Sequence, residues 1–453
     1  MSKASRSVFI QTFGCQMNEY DSEQMLQVLA QEGFEKTEQI DSADLILINS
    51  CAVREKSETK ALSFLGRLSQ IKKSNERAVI GFGGCVGQTE GPRLVNQFHF
   101  LDFSFGTNNY RELPQMLKKY EKRWKKNEEF DVLLPSSRPE AKSQAFITIT
   151  NGCDKFCSYC IVPFTRGREI SRSPEEILAE ASALTSKGIK EIMLLGQNVN
   201  SYWGKNKDGA FRSLYDLLVL FQNESEHSLK GLKRLRYTTS HPRDFDENLA
   251  RAFKELPVLC EYMHLPFQAG SDQVLRKMRR FYTAESYLKK IEMLRSYMPD
   301  IALSTDVIVG FPGETRADFE QTLKIIRDIE FDNVYSFVYS ERKYTRSADW
   351  TDDVSPEEKS DRMAEMLVLQ RQMSAKKYRE DLGRDVEIML ENPSKNNPDF
   401  WTGRTRKNRV VHLPSEAHFK NGDIFNAKIL ETTHSWMRGE RVIEANAQIQ
   451  SRA

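Results

Sequence analysis

The chain has 453 residues, 39% of them hydrophobic and 29% charged, with a formal net charge of +2. That length calls for two or three domains, and so even a charge balance excludes holding a polyanion by overall basicity, leaving only local patches. Seven cysteines in so long a chain are no disulfide framework. No stretch reads as a secretory leader or approaches the ~18 apolar residues of a membrane span. A cytoplasmic protein with reduced thiols and no membrane partner is expected.

Residues 7–12 alternate as a strand. Asp21 with Gln24 reads as a helix start, and Met25, Leu26 and Leu29 form a stripe running to a stop at Gly33. Residues 45–48 and 78–82 are apolar runs of buried-strand length. With helical stretches between, they predict a doubly wound α/β domain over residues 1–130. Cys15, Cys51 and Cys85 each follow one of these strands. In a parallel sheet the ends that follow the strands share the edge where ligands bind. One such cysteine reads as a small buried filler. Three at equivalent places predict a three-thiolate cluster. Near the end of this domain the basic run from Lys118 to Lys126 is either a linker helix or a contact for RNA.

The next segment carries Thr150-Asn151-Gly152-Cys153-Asp154-Lys155-Phe156-Cys157-Ser158-Tyr159-Cys160. Zinc sites usually close with four ligands in paired units, and no fourth Cys or His follows nearby. Three thiolates suit a cubane iron–sulfur cluster with one iron left open; a zinc knuckle borrowing a distant ligand is the other reading. From here strand and helix alternate six times, with strand candidates at residues 146–150, 191–195, 235–238, 262–265, 303–309 and 334–339. Ser173, Pro174 and Glu176 mark a capped helix start, and Gly188 its end. Six units are too few for a closed eight-fold barrel, so an open, partial (β/α)6 barrel is expected over residues 131–375. Catalytic groups in such barrels lie where strands end. There stand Gln197 and Asn198, Ser240, Gln268, and Asp306, amides, a hydroxyl and a carboxylate suited to a cofactor. His264, inside an apolar strand, reads at least as well as a satisfied core residue, and Cys260 as structural.

Ser355-Pro356 starts a long helix with Met363, Met366, Leu367, Leu369 and Met373 at packing spacing, and Gly383 stops it. Strand-like runs at residues 386–390, 400–402, 410–413, 424–430 and 442–449 predict a small β-barrel over residues 376–453. Its basic run holds Arg404, Arg406, Lys407 and Arg409, close to Phe400 and Trp401. A basic run is usually a solvated face, but beside aromatics on a small barrel it reads as an RNA-binding patch.

The spacing of Cys153, Cys157 and Cys160 with Tyr159 resembles the signature of the radical S-adenosylmethionine enzymes. Phe13-Gly14-Cys15-Gln16-Met17-Asn18, Asn49-Ser50-Cys51 and Gly83-Gly84-Cys85 resemble the amino-terminal domain of one of their families, the methylthiotransferases. The resemblance runs from about Ser7 to Ile449, and the carboxy-terminal part resembles the TRAM module, which binds RNA. It implies two 4Fe-4S clusters. One, on Cys153, Cys157 and Cys160, would cleave S-adenosylmethionine to a 5′-deoxyadenosyl radical. The other, on Cys15, Cys51 and Cys85, would deliver sulfur methylated by a second S-adenosylmethionine. Within the family, Cys15-Gln16-Met17-Asn18 and Pro163-Phe164-Thr165-Arg166-Gly167-Arg168-Glu169 look like the branch that acts on N6-isopentenyladenosine beside the tRNA anticodon. Other branches act on threonylcarbamoyladenosine or on a ribosomal-protein aspartate. The implied partners are the anticodon stem-loop, an electron donor such as flavodoxin or ferredoxin, and a cluster or sulfur donor; a monomer is expected. A non-catalytic RNA-binding iron–sulfur sensor would need the clusters and the barrel, but not the cofactor loops. One departure is local: after Arg342 the family's usual Pro-Gly is replaced by Lys343-Tyr344, which puts the geometry of that loop in question.

Overall fold

A computed structural model describes residues 6–124, 143–395 and 397–442. Five parallel strands build the amino-terminal sheet, in the spatial order Phe34–Lys36, Arg6–Thr12, Leu45–Ser50, Val79–Gly83, Phe103–Ser104. The order reverses direction between Arg6–Thr12 and Leu45–Ser50, which makes that gap a topological switch point. Leu45–Ser50 and Val79–Gly83 are buried on both faces, as expected for strands covered by helices on each side. The register sets Thr12, Asn49 and Gly83 abreast, so the three segments that follow leave the sheet side by side.

The first helix starts earlier than its sequence suggests. It spans Gln16–Gln31 with Cys15 at the N-cap, and Asp21 lies buried within it. Asn18, three residues into the turn, receives the Cys15 N–H on its side-chain oxygen at 3.4 Å and so supplies the cap that Asp21 was expected to give. Helices Glu55–Ser74 and Gly84–Gln97 pack on the opposite face of the sheet from Gln16–Gln31.

Six parallel strands form the central unit as two three-stranded sheets. One has the order Arg234–Tyr237, Glu191–Leu195, Gln144–Thr148; the other Tyr262–His264, Ala302–Val309, Asn333–Val338. A bridge between Leu235 and Leu259 joins them. The first and last strands, Gln144–Thr148 and Asn333–Val338, do not pair with each other, so the barrel is open on that side. The outward faces of the strands (Ile147, Leu194, Leu235, Leu303, Val307, Val334) merge with the inward stripes of the surrounding helices in one core. Ser173 caps helix Pro174–Thr185 by accepting the Glu176 N–H at 3.3 Å, as its sequence predicts.

The long helix Pro356–Arg379 buries Met366 and Leu369 but leaves Leu367 exposed. It leads into a closed five-stranded barrel, Asp385–Pro393, Phe400–Thr405, Val410–Pro414, Ile424–Thr432 and Met437–Arg441. The closing strand is therefore Met437–Arg441; the strand expected at residues 442–449 falls, beyond Val442, outside the described residues. Trp401 faces the barrel core, edge-on to Phe419 at 6.1 Å. Among the described residues no helix is long and apolar enough to cross a membrane.

The basic run of this barrel corrects the sequence expectation. Arg406 pairs with Glu261 at 2.9 Å and donates to the carbonyls of Pro257 and Leu259. Arg409 is buried between Asp332 at 2.6 Å and Asp381 at 2.7 Å. Arg404 pairs with Glu391 at 2.7 Å, and its carbonyl takes a hydrogen bond from Arg234. The guanidinium groups of Arg406 and Arg409 thus hold the small barrel to the central unit, and that of Arg404 is engaged by a carboxylate of its own barrel. Lys407, half-exposed as Arg404 and Arg406 are, is the one of the four with no ion pair among the described residues. Arg234, Glu261 and Asp332 all lie where central strands begin, so the small barrel sits on the edge opposite the cysteine loop. The run at Lys118 to Lys126 is likewise partly committed. Tyr120 donates to the Asp102 carbonyl at 2.6 Å, and Arg123 pairs with Asp102 at 2.5 Å. Residues 125 and 126 lie outside the described range.

Candidate active site

The amino-terminal cysteines meet at the switch point. Cys15 follows Arg6–Thr12, Cys51 follows Leu45–Ser50, and Cys85 opens the helix after Val79–Gly83. Two asparagines lock the edge: Asn18 Nδ2 donates to Asn49 Oδ1 and to the Ser50 carbonyl, both at 3.1 Å, and Asn49 Nδ2 returns to the Asn18 carbonyl at 2.8 Å. Gly84, at φ +83°, lets the chain pass there; a Cβ would lie 2.3 Å from the Ser50 carbonyl oxygen. A hydrogen bond from Cys51 draws the Cys15 thiol down to about 6, helped by its own turn's backbone and by Arg166. That same bond, with burial, pushes Cys51 up, and burial raises Cys85. A largely buried thiol trio of this kind gains by releasing its protons to solvent and binding a metal group as thiolates.

Arg166 comes from the central unit. It belongs to helix Val162–Arg166 directly after the cysteine loop, is buried, and pairs with Asp21 at 2.7 Å. Its charge acts on both Cys85 and Cys15. The Thr107 hydroxyl donates to the Thr165 carbonyl at 2.8 Å beside it, and Ile161 joins the amino-terminal core. The two units are thus packed through the segment that links one cysteine trio to the other.

The central trio lies in a loop after Gln144–Thr148. Gly152, at φ +80°, turns it; an added Cβ would lie 2.1 Å from the Arg168 carbonyl oxygen. Burial lifts Cys153 to about 11 and Cys160 to about 12. Arg280 stands beside Cys157, Nη1 3.6 Å from Sγ, and donates to the Pro266 carbonyl at 2.8 Å and to the Tyr282 hydroxyl at 3.1 Å. Ser158 anchors the loop through its N–H to the Met278 carbonyl, and Tyr159 packs edge-on against Phe311 at 6.3 Å. Among the described residues no group of three or more His, Cys, Asp and Glu is arranged for a single metal ion. A cubane asks something different of a trio, one thiolate for each of three irons.

Around this loop the strand-end residues fall into two groups. Gln197 accepts the Gly152 N–H at 2.6 Å, and Asn198 donates to Asp244 at 2.7 Å, a carboxylate that Lys155 of the cysteine loop also pairs with at 2.7 Å. On the other side, Gln268, at φ 68°, donates its N–H to the Asp306 carbonyl at 2.9 Å. Asp306 lies 3.6 Å from His264, whose Nδ1 meets Ser304 Oγ at 2.9 Å. The side-chain oxygens of Thr150, Asn198 and Ser240 are buried without a hydrogen-bond partner among the described residues. Native proteins rarely leave such atoms unpaired, so a polar ligand fits this edge. Arg280, the Asp21–Arg166 pair and the Lys155–Asp244 pair were not predicted as site residues. No local spacing marks them, because each acts across 89 or more positions of sequence.

The loop after the last central strand crosses back to the amino-terminal unit. Arg342 pairs with Glu58 at 3.4 Å and donates to the Val53 carbonyl, and Lys343 pairs with Glu90 at 3.2 Å. Tyr344 adopts φ 70°, the left-handed conformation that a glycine would take without cost. The turn therefore survives the loss of Pro-Gly.

A six-stranded open parallel barrel with a three-cysteine loop at its first strand end defines a radical S-adenosylmethionine enzyme, and residues 147–326 match the Radical SAM superfamily. Residues 7–106 match the Uncharacterized protein family UPF0004. A protein of Janthinobacterium sp. (strain Marseille) named tRNA-2-methylthio-N(6)-dimethylallyladenosine synthase is 41% identical over 97% of this chain and 99% of its own length. One of the same name from Caldicellulosiruptor saccharolyticus is 42% identical over 96% and 92%. The chain belongs to this family of radical S-adenosylmethionine methylthiotransferases. Among solved structures, the radical S-adenosylmethionine methyltransferase TsrM from Kitasatospora setae superposes with a TM-score of 0.56 at 15% identity, covering 76% of this chain and 75% of its own. That likeness concerns the fold alone. Membership of the superfamily implies a 4Fe-4S cluster and S-adenosylmethionine.

Proposed function

We propose that the protein is a tRNA methylthiotransferase that converts N6-(dimethylallyl)adenosine, 3′ of the anticodon, to its 2-methylthio derivative. The observation that carries this reading is that Arg166, on the helix that follows the central cysteine loop, is paired with Asp21 beside Cys15 and Cys85, in a chain 41% identical to relatives bearing that name. Cys153, Cys157 and Cys160 would hold the cluster of the radical site, and Cys15, Cys51 and Cys85 a second, auxiliary 4Fe-4S cluster. When bound, these groups supply an electron for cleaving S-adenosylmethionine at one site and sulfur at the other.

The chain's own residues do the rest. Gln197, Asn198, Ser240, Gln268 and Asp306 line the strand-end edge where S-adenosylmethionine would bind, with the orphaned oxygens of Asn198 and Ser240 open to its polar groups. Arg280 holds the Cys157 side of the loop in place and places a positive charge beside that thiolate. Arg166 and Asp21 fix one trio relative to the other, so that a carbon activated at one lies within reach of the other. Further partners in this reading are the anticodon stem-loop, with Lys407 as the one candidate contact left in the basic run, a small electron carrier, and a protein that renews sulfur. The three-unit division at residues 1–130, 131–375 and 376–453 and a cytoplasmic monomer belong to the same proposal.

The test is mass spectrometry of nucleosides from isopentenylated tRNA incubated with reconstituted enzyme, reductant and S-adenosylmethionine. A 2-methylthio product that is absent with Cys51→Ala is expected. 5′-Deoxyadenosine without that product would move the substrate to another branch of the family.

A further inference from the structure

The cysteine loop has an outer face as well as one turned to the barrel. A pocket of about 260 Å³ reaches Cys157 and Cys160 there, walled by Phe164, Arg279, Tyr344 and Arg346. None of Gln197, Asn198, Ser240, Gln268 or Asp306 lines it, so it is a separate approach to the same two thiols. Large apolar rings stand exposed around it: Phe156 at 41%, Phe164 at 51%, Tyr344 at 56% and Phe281 at 61%. Phe164 and Tyr344 face each other, centroids 6.3 Å apart. Exposed rings gathered in one place mark a binding surface.

The charge is as one-sided as the rings are exposed. Arg346 lines the pocket, and Arg243 and Arg279 both lie 5.8 Å from the Phe281 ring. Among the described residues none of these three arginines has an ion-pair partner. The one carboxylate on the pocket wall is Asp349. Elsewhere near the loop the charges are paired, Arg168 with Asp154 and Lys155 with Asp244. Unpaired cations around apolar rings suit a transient, electrostatically steered partner.

We propose that this face docks an acidic, flavin-bearing one-electron carrier protein of the flavodoxin type. The inference rests on the proposed function, since reductive cleavage of S-adenosylmethionine needs one electron from outside. The reduced flavin would give up that electron to the metal group that Cys157 and Cys160 would hold, by way of the pocket that none of the five strand-end residues lines. Flat, exposed rings match the apolar edge of a flavin, and the arginines match the acidic rim of such a carrier. Small redox encounters of this kind bury little surface.

The experiment uses the full-length holoenzyme and bacterial flavodoxin as the probe. Binding of dye-labelled oxidised flavodoxin is read by anisotropy at low and high salt. In parallel, 5′-deoxyadenosine is measured with reduced flavodoxin and with dithionite. In the double variant Arg279→Glu, Arg346→Glu we expect binding and the flavodoxin-driven rate to fall on the order of tenfold or more, with the salt dependence lost and the dithionite-driven rate retained. Should the double variant lose the dithionite rate too, Arg346→Glu alone, at a surface position, carries the comparison. Unchanged flavodoxin binding overturns the proposal. So does a variant whose affinity for the anticodon stem-loop falls while flavodoxin binding holds, which would give the face to RNA, and so does stronger, charge-dependent binding of a ferredoxin. No 5′-deoxyadenosine from the wild type with either reductant would sink the proposed function instead, and the binding measurement would still decide the docking.

Discussion

Cys157 shows how much a single position depends on its neighbours. Its loop is turned by Gly152, and there is no room for a side chain there: a Cβ would lie 2.1 Å from a backbone oxygen, at a φ that L residues rarely adopt. Gly152→Ala should therefore displace the central trio while leaving the amino-terminal one in place. The expected result is a chain that incorporates about half the iron of the wild type and makes no 5′-deoxyadenosine, read by iron analysis and chromatography. His241, two strand-ends away, is a second residue whose surroundings set its behaviour. Burial, with Arg280, Lys155 and Arg243 nearby, brings its pKa down to about 2. The folded chain cannot protonate it, whereas the unfolded chain can below about 6.5. Its contribution to stability is thus unaltered above that pH and is lost as pH falls through it, by about 1.4 kcal/mol for each further pH unit. Urea unfolding between pH 7.5 and 5 should show a shallower acid loss in His241→Gln than in the wild type; equal slopes would contradict the assignment.

At the scale of elements, two short pieces carry the coupling between units. Helix Val162–Arg166 brings Arg166 to Asp21 in the helix Gln16–Gln31, and both side chains are buried. Removing one member of such a pair strands the other's charge, which costs roughly 3–5 kcal/mol. Arg166→Ala should fall in that range by equilibrium unfolding. The double variant Asp21→Asn, Arg166→Gln, which buries no charge, should cost less than Arg166→Ala alone. If the single and double variants cost the same, the pair is not coupled. The helix start illustrates the limit of local rules. Asp21 has the composition of a cap, yet Cys15 and Asn18 do the capping, because the register of the sheet brings that turn to Asn49.

The whole molecule is held at two opposite edges of the central barrel. The amino-terminal unit covers the edge where strands end, and the small carboxy-terminal barrel is fixed at the edge where they begin. Arg409 is the deepest anchor of the latter, buried with Asp332 and Asp381. Arg409→Ala would leave two carboxylates buried and unpaired, at a cost of roughly 3–5 kcal/mol. We expect early protease cleavage between the long helix and the small barrel, and a lower first transition on heating. Lys407→Ala should change neither. A loss of RNA affinity in Arg409→Ala with no loss of stability would return that residue to the RNA surface.

Much of the architecture was legible in the residues themselves. Alternating apolar runs and capped helices identified six strand–helix units, and the strand Glu191–Leu195 begins and ends where its pattern does. Short-range chemistry explains this: cysteine spacing, N-caps and strand periodicity are written over a few neighbouring positions. The convergence of Cys15, Cys51 and Cys85 could be expected as well, because a parallel sheet has only one edge where strands end. Other features needed the tertiary structure. Nothing local distinguishes an arginine that meets phosphate from one that meets Asp332 across 77 positions. Likewise, only the fold could bring Arg166 to Asp21, Arg280 to Cys157 and unpaired arginines to the outer face of the loop. Composition assigns charge to a segment, and only packing decides which opposite charge, or none, that segment meets.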